Sequence, residues 1–312
     1  MKNVKKTRLI LVTAGLCLLL ILLAIKYRND VGSTADPSAP TEISLLPDAR
    51  NPEVTTIVVN ERGTNVERMR LQVPSLYRDH YHATEYVSGS LFAIRRFTSP
   101  QSNGSESWHD ELWSYDVKGE GKRLFSGQGI DFRVSPTGKK IAITVAVDGM
   151  SFNNRLLLID TDGKLLNDYT EVIAIDTASE LSMSLLQWHE DRIWVSATRA
   201  REVISLFKID TATGDHARFD LASLKIVLPD FALNPSAERI AYSTYVTSLE
   251  TEPSVSAPAS LRVYDLKKGN VTNVIDEDRK RPFSPIWLDA VTLGYSDNDS
   301  GNTLSVSIAP QS

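Results

Sequence analysis

Apolar and polar residues alternate along short segments that recur through most of the chain. In residues 141–147, IAITVAV, apolar side chains take every second position. This period of two is typical of a β-strand with one buried face and one more polar face. The turn at 135–138, SPTG, precedes the strand, and a second apolar run, LLLID at 156–160, follows it and ends at a glycine-containing turn. The pattern predicts three short strands between residues 131 and 164.

The same unit recurs about every 50 residues. The first apolar residue of the alternating strand returns after 50, 52, 47 and 51 residues, at Leu91, Ile141, Ile193, Ile240 and Val291. A stack of units of this length, built from strands and turns, predicts the blades of a β-propeller, because one unit cannot bury its apolar face alone.

The strand that follows is also repeated. Four copies place Leu four residues before Asp, with a glycine soon after, and the aspartates are Asp116, Asp160, Asp210 and Asp265. Four copies spread around a ring would make a poor single active site. We therefore expect each aspartate to cap the backbone of the turn that follows it.

The segments SPTGKKIAI (135–143) and NPSAERIAY (234–242), with the L-x-x-[IY]-D hairpins, resemble the WD40-like propeller repeats of TolB and of the non-catalytic domain of dipeptidyl-peptidase-IV-like enzymes. The resemblance covers roughly residues 85 to 310. In copies three and five the Ser-Pro turn is replaced by QWHED (187–191) and WLDA (287–290). The hydrolase domain of those peptidases has no counterpart in this sequence, so the resemblance implies a fold and no activity.

The first residues predict a membrane anchor. Residues 1–8 carry four basic residues and no acidic one, and residues 9–25 form an uncharged apolar run. At about 1.5 Å per residue this run would span roughly 25 Å as a helix, enough for a thin bilayer. A cleaved signal peptide is the alternative, but Lys26, Tyr27 and Arg28 follow the run where a small-residue cleavage site would be expected. The charges predict a cytoplasmic tail (1–8), a transmembrane signal anchor (9–25) and a translocated remainder, in the inner membrane of a bacterium.

The rest divides into a linker and one domain. Residues 26–52 are proline-rich and predict a linker, in which a segment around Ile43 could make a minor docked contact. Residues 53–312 predict an all-β propeller of about five four-stranded blades. Residues 54–73 read as strand, turn and strand. We expect them to complete the last blade beside residues 304–308, with six blades if they supply more than one strand.

Charge and cysteine content narrow the function classes. Residues 1–30 carry six basic residues and one acidic residue, a charge of +5, so the −5 of the whole chain leaves −10 for the remainder. An acidic domain disfavours nucleic acid as the main ligand. The single cysteine, Cys17, lies in the apolar run, so the exported part offers no thiol nucleophile and needs no disulfide.

Candidate chemistry is sparse. His80 and His82 could share a strand face, but no third metal ligand accompanies them. DNDSGN (297–302) departs from a calcium loop and is expected to be a polar hairpin turn. No G-x-S-x-G motif occurs. We therefore expect no catalytic residues, no metal and no cofactor.

Partner-binding residues are easier to nominate. Trp108 and His109 lie in a polar insertion joining two strands of copy one, and copy four has a similar insertion at 247–259. Both insertions should lie on one face of a propeller. An exposed Trp108 would be an anchor for a partner, unless it folds back on a neighbouring blade. Arg279, Arg281 and Phe283, between copies four and five, could form a basic and aromatic patch on the same face, with ordinary solvated charge as the alternative.

The sequence thus predicts a membrane-anchored, extracytoplasmic propeller that binds a protein of the cell envelope, as a scaffold or as an inhibitor of an exported enzyme. Two alternatives stay open: a hydrolase or lyase with its site in the central channel, and a sensor of a small molecule or glycan.

Overall fold

The computed structural model describes residues 41–47, 50–51, 54–64, 66–74, 79–100, 106–147, 150–173, 182–199, 202–227, 230–245 and 257–308. Within these residues the only helical elements are one α-helical turn and one 3₁₀ turn, and no helix is long and apolar enough to cross a membrane. The predicted tail (1–8) and anchor (9–25) lie outside the described residues.

The strands follow one another in chain order and pair antiparallel. They are β1 Thr41–Pro47, β2 Val54–Glu61, β3 Glu67–Pro74, β4 Asp79–Val87, β5 Ser90–Pro100, β6 Glu106–Tyr115, β7 Gly121–Val134, β8 Lys140–Val147, β9 Met150–Asp160, β10 Leu165–Asp168, β11 Ser182–His189, β12 Arg192–Arg199, β13 Glu202–Asp210, β14 His216–Asp220, β15 Ile226–Val227, β16 Phe231–Leu233, β17 Arg239–Tyr245, β18 Ala257–Asp265, β19 Val271–Arg279, β20 Ile286–Trp287, β21 Thr292–Ser296 and β22 Thr303–Ser307. The helical turn α1 is Thr170–Ile173, and the 3₁₀ turn is Ala222–Leu224.

These strands form six sheets. Sheet one contains β1–β3, sheet two β4–β6 and the first half of β7, sheet three the second half of β7 with β8–β10, sheet four β11–β15, sheet five β16–β19, and sheet six β20–β22. β7 joins two sheets because its residues 121–127 pair with β6, whereas its residues 128–134 pair with β8. The all-β prediction is confirmed, and the four-stranded antiparallel sheets are consistent with propeller blades.

The hydrophobic core lies between neighbouring sheets. Alternation along the central strands sends one row of side chains toward each neighbour. Phe92 and Ile94 of sheet two, for example, pack with Ile141 and Ile143 of sheet three. Each sheet therefore buries its apolar side chains only with help from the next sheet, as expected of a repeat structure.

The predicted turn caps are confirmed. Each repeated aspartate accepts two backbone N–H bonds at 2.8–3.1 Å, and the glycine after it has a φ of +69° to +83°, which glycine adopts without strain; the aspartates are Asp116, Asp160, Asp210 and Asp265. In copy five, Asp289 accepts bonds from the N–H groups of Val291 and Thr292. The substituted turn of that copy is therefore also capped by a side chain.

The first sheet corrects one expectation and adds a strand within the predicted linker. The segment 54–73 supplies β2 and β3, but β2 pairs with β1 on one side and β3 on the other, and among the described strands β22 pairs only with β21. The expected completion of the last blade by 54–73 is therefore wrong. The reason is burial, since Ile57, Val59 and Leu71 pack against Leu91 of sheet two. Within the predicted linker, Thr41–Pro47 is a strand, and Ile43 packs against the same core, which is the docked contact that the sequence allowed.

Candidate functional site

Trp108 lies on a strand and not in a loop. The insertion of copy one mostly lengthens β5 and β6, which places Trp108 directly opposite Thr98. Its ring is half-buried, and the guanidinium carbon of Arg96 lies 4.3 Å from the ring centroid. Its carbonyl accepts a 2.9 Å bond from Nε2 of Gln128, a residue of β7. The tryptophan thus leans toward the strand that leads into sheet three.

Beneath the tryptophan lies a bidentate ion pair. Arg96 Nε and Nη2 donate to the two carboxylate oxygens of Asp110 at 2.8 and 3.0 Å, and Asp110 is fully buried. The backbone N–H of Ile130 donates to the same carboxylate at 3.2 Å. The hydrogen-bonded Asp110 carboxylate raises the pKa of Arg96 above its ordinary value. The charged pair holds the cation on which the indole ring rests.

His109 points to the opposite face of β6, because side chains alternate along a strand. It is exposed, and its Nε2 lies 2.9 Å from Oγ of Ser126. Two residues on, Glu111 accepts bonds from Arg123 at 2.8 Å and from the indole of Trp113 at 2.9 Å. Burial works to raise the pKa of Glu111, but the bonds from Arg123 and Trp113 outweigh it and the pKa is lowered. This face of β6 therefore carries a row of side chains with hydrogen-bond partners: His109, Glu111 and Trp113.

The expected patch between copies four and five is mostly interior. Arg279 is 3% exposed and Phe283 is not exposed at all. The guanidinium of Arg279 lies 3.9 Å from the centroid of the Phe283 ring, and Nε donates to the carbonyl of Arg281 at 2.9 Å. It also bonds Glu277 and the carbonyl of Ser296. Both side chains are therefore structural, which corrects their assignment to a surface patch. Arg281 is exposed.

The polar turn at 297–302 joins β21 to β22. Asp297 Oδ2 accepts bonds from the backbone N–H and the hydroxyl of Ser300, at 2.8 and 2.6 Å. These bonds lower the pKa of Asp297. Its carboxylate serves the turn, as the sequence predicted. In the described part of the chain, no three His, Cys, Asp or Glu residues are grouped to hold a metal ion, and the side chains of His80 and His82 lie outside it.

The first strands of successive sheets are tied together by side chains. The bonds are Val134 N–H to Glu85 Oε2 at 2.8 Å, Arg133 Nε to the Leu186 carbonyl at 3.4 Å, Gln187 Nε2 to the Asn234 carbonyl at 3.1 Å, and Trp287 Nε1 to the Ala232 carbonyl at 3.1 Å. A cavity of about 250 Å³ lies among these strands, beside Arg133. Burial raises the pKa of Glu85 above its ordinary value, although Arg133 lies 3.5 Å away.

Sequence reasoning found Trp108 and His109 but missed the ion pair that positions the tryptophan. In the sequence Arg96 and Asp110 are two charged residues fourteen positions apart, and no spacing marks them as a pair. Their pairing required the register of β5 and β6, which sets Arg96 opposite Asp110.

The sequence matches no family model, and no curated protein matches it. The structure is similar in fold to puromycin hydrolase, with a TM-score of 0.50 and 13% identity over 86% of this chain and 45% of that chain. A puromycin hydrolase mutant complexed with PGG gives a TM-score of 0.48 and 12% identity over the same shares. The hydrazine synthase of Kuenenia stuttgartiensis gives 0.41 and 13% identity over 89% of this chain and 99% of that chain. This chain spans 45% of the length of puromycin hydrolase, and at 13% identity the likeness concerns the fold alone: a propeller-type arrangement of β-sheets.

Proposed function

We propose that this chain is a single-pass membrane protein whose propeller lies outside the cytoplasm and binds a protein partner, as a scaffold of the cell envelope or as an inhibitor of an exported enzyme. The observation that carries the binding role is the half-exposed Trp108 ring held on the Arg96 guanidinium. Tryptophan and arginine are the residues most often found as interface anchors. A ring whose position is already fixed loses little conformational entropy when a partner covers it.

The site is the outer end of the β5–β6 hairpin. Trp108 offers a flat apolar face with a cation behind it, and His109 offers an exposed imidazole on the other face of the same strand. A partner that covers this end could contact both side chains.

The location rests on the first 30 residues. Their net charge of +5 and the apolar run at 9–25 favour a tail in the cytoplasm and a translocated domain. Protease treatment of intact spheroplasts tests this directly. Cleavage of the domain from outside, with the cells still sealed, is expected; protection until the cells are lysed would contradict it.

Binding is tested by photo-crosslinking in cells. A photoreactive residue at His109 is expected to capture one envelope protein. The same residue at Val117, which is 67% exposed at the other end of β6, should not capture it. With the captured protein purified, Trp108→Ala should weaken its affinity for the full-length chain by about 30-fold or more.

Trp188→Ala is the matched control, since Trp188 is also half-buried but belongs to a hairpin of sheet four. It should leave the affinity unchanged. Equal crosslinking from both positions, or an affinity that Trp108→Ala does not alter, would remove the proposal.

The enzyme alternative gains one observation, the raised pKa of Glu85 among the first strands. Both oxygens of that carboxyl are already engaged, Oε2 by the Val134 N–H and Oε1 by Arg133. A group held in this way is better suited to joining sheets two and three than to moving a proton. The binding role therefore has the better support.

A further inference from the structure

A cavity of about 490 Å³ opens between sheets four and five, at the hairpin-turn ends of their strands. Trp194, Phe219 and Leu266 form its apolar floor, and its walls carry three cations and two carboxylates: Arg192, Lys208, Lys267, Glu190 and Glu238. Glu190 is engaged by Arg192, and Glu238 accepts a bond from the Ser236 hydroxyl at 3.3 Å. We propose that this cavity, called here the 4–5 groove, binds a ligand in which a flat apolar ring carries a carboxylate. It lies at the opposite strand ends from Trp108, so the inference goes beyond the proposed function.

The repeat itself marks the groove as unusual. Trp194 on β12 and Lys208 on β13 are directly opposite each other. The equivalent cross-strand pair is Ala142 with Leu158 in sheet three, and Ala241 with Val263 in sheet five. Those four residues are buried and pack against the next sheet.

Sheet four therefore places an indole and an ammonium where sheets three and five place a methyl group and an aliphatic chain. In sheet six the corresponding pair is Thr292 with Ser307. A cation at a position built for core packing is a local departure from the fold's own pattern. Departures of this kind are expected at functional sites. In sheet two the corresponding pair is Phe92 with Ser114, which carries no charge and lies at a second, more polar cavity.

The floor fits a flat apolar ring. The Trp194 and Phe219 rings are stacked, with centroids 5.8 Å apart and an interplanar angle of 24°. Aromatic groups favour such offset stacking, and an added ring can extend the arrangement. Trp194 is 4% exposed and Phe219 is half-buried, so a ligand would contact Phe219 more than Trp194.

The walls fit an anion. Lys208 Nζ lies 5.8 Å from the Trp194 centroid, and within the described residues neither Lys208 nor Lys267 forms an ion pair. Arg192, by contrast, lies 3.3 Å from Glu190 and 3.9 Å from Asp210. The two lysines are thus the cations left for a ligand. Lys208 beside the indole also disfavours a cationic ligand, which would otherwise suit an aromatic floor.

The experiment is calorimetric titration of the full-length chain in detergent micelles or nanodiscs. N-acetylphenylalanine is compared with N-acetylphenylalaninamide, which has the same ring and no charge. The acid should bind with a Kd on the order of 1 mM, as expected for a ligand of this size, and the amide at least about tenfold more weakly, because it lacks the charge-assisted bond.

Two variants locate the site. Lys208→Met and Lys267→Met should each weaken binding of the acid, Lys208→Met by about tenfold. Lys118→Met is the matched control, because Lys118 follows Asp116 by two residues in the same kind of turn as Lys267 follows Asp265, yet lies outside the groove. It should change nothing. Thermal unfolding of each variant checks that the fold is retained.

A short peptide ending in phenylalanine, with free and amidated C-terminus, separates the two sources of this chemistry. Tighter binding of the free peptide than of the small acid assigns the groove to a protein C-terminus; equal or weaker binding assigns it to a small aromatic acid. Equal affinity for acid and amide, no saturation up to about 10 mM, or an unchanged affinity in Lys208→Met would overturn the proposal.

Discussion

Arg96 and Asp110 form a two-bond ion pair across β5 and β6, with the carboxylate sealed from solvent. Arg96→Met removes two charge-assisted bonds from a buried carboxylate, so it is expected to cost about 3 kcal/mol of unfolding free energy. The double variant Arg96→Met/Asp110→Leu should cost less than that single change, because no charge then remains buried. Urea unfolding measures both.

The exposed pair of Arg70 with Glu67 provides the control. Arg70→Met should leave the urea midpoint unchanged, since surface ion pairs contribute little. A double variant as unstable as the sum of its single changes would mean that the two residues do not act as a pair.

Two glycines with the same φ of +82° offer a matched comparison of turn strain and crowding. At Gly214 an added Cβ would meet nothing within 4 Å, whereas at Gly163 it would lie 2.4 Å from the carbonyl oxygen of Leu124. Gly214→Ala should therefore cost about 1 kcal/mol from backbone strain alone. Gly163→Ala should cost about 3 kcal/mol, because sheets two and three must also separate. Similar unfolding midpoints would contradict the close contact between these sheets.

Glu85 should make the stability of the folded chain depend on pH. Burial raises the pKa of Glu85, so the folded chain holds this proton more tightly than the unfolded chain does. Its contribution to stability is therefore greatest below its unfolded pKa and falls as the pH rises through the folded pKa. Glu85→Gln, which keeps an acceptor for Val134, should gain stability relative to wild type as the pH rises above the unfolded pKa of about 4 and through the raised folded pKa of Glu85.

Asp289→Asn should behave in the opposite way. The backbone N–H of Val291 is the main cause of the lowered pKa of Asp289, so its contribution is present above its unfolded pKa and lost as the pH falls. The wild type should therefore lose its advantage over Asp289→Asn as acid is added. Unfolding midpoints at several pH values measure both slopes, and slopes of the same sign would refute the assignment.

Arg279 and Arg281 allow a comparison between a buried and an exposed arginine of the same segment. Arg279→Met removes a buried cation that lies over Phe283 and bonds backbone carbonyls, so it should cost about 2 to 4 kcal/mol. Arg281→Met, at an exposed site, should stay within about 0.5 kcal/mol of wild type. Chemical unfolding measures the free energy of unfolding of both variants. Equal losses would mean that Arg279 is not held in the interior.

The sheets could be predicted from the sequence because the pattern repeats. The pairing of the first strands, which lie outside the repeat, could not. Alternation at Ile141 and the aspartate at Asp160 report local geometry, which each copy specifies for itself. The pairing of β2 with β1 depends on which apolar surface is left uncovered in three dimensions, and no spacing encodes that. The repeat therefore predicted the sheets correctly but gave the wrong partner for 54–73.

At the candidate site, too, the sequence showed the residue types but not their burial or pairing. The residues proposed for binding, Trp108 and His109, stand out in the sequence because Trp108 is a large aromatic residue within a polar stretch. In the sequence, Arg279 and Phe283 were equally good candidates for a surface site. Both are buried in the structure, because carbonyls and an aromatic ring surround the guanidinium of Arg279. Composition cannot distinguish the two cases. The Trp194–Lys208 pair could be read only once the cross-strand register aligned it with its counterparts.

β7 leaves one sheet and enters the next as a single fourteen-residue strand. The strand is continuous through a bulge between Gln128 and Asp131, where it passes from one sheet to the other, so sheets two and three should open and close together. Amide exchange should report one common opening free energy across residues 90–147. The other neighbouring sheets share no strand among the described residues, so the seams between them, such as the one between sheets four and five, are where the molecule can widen.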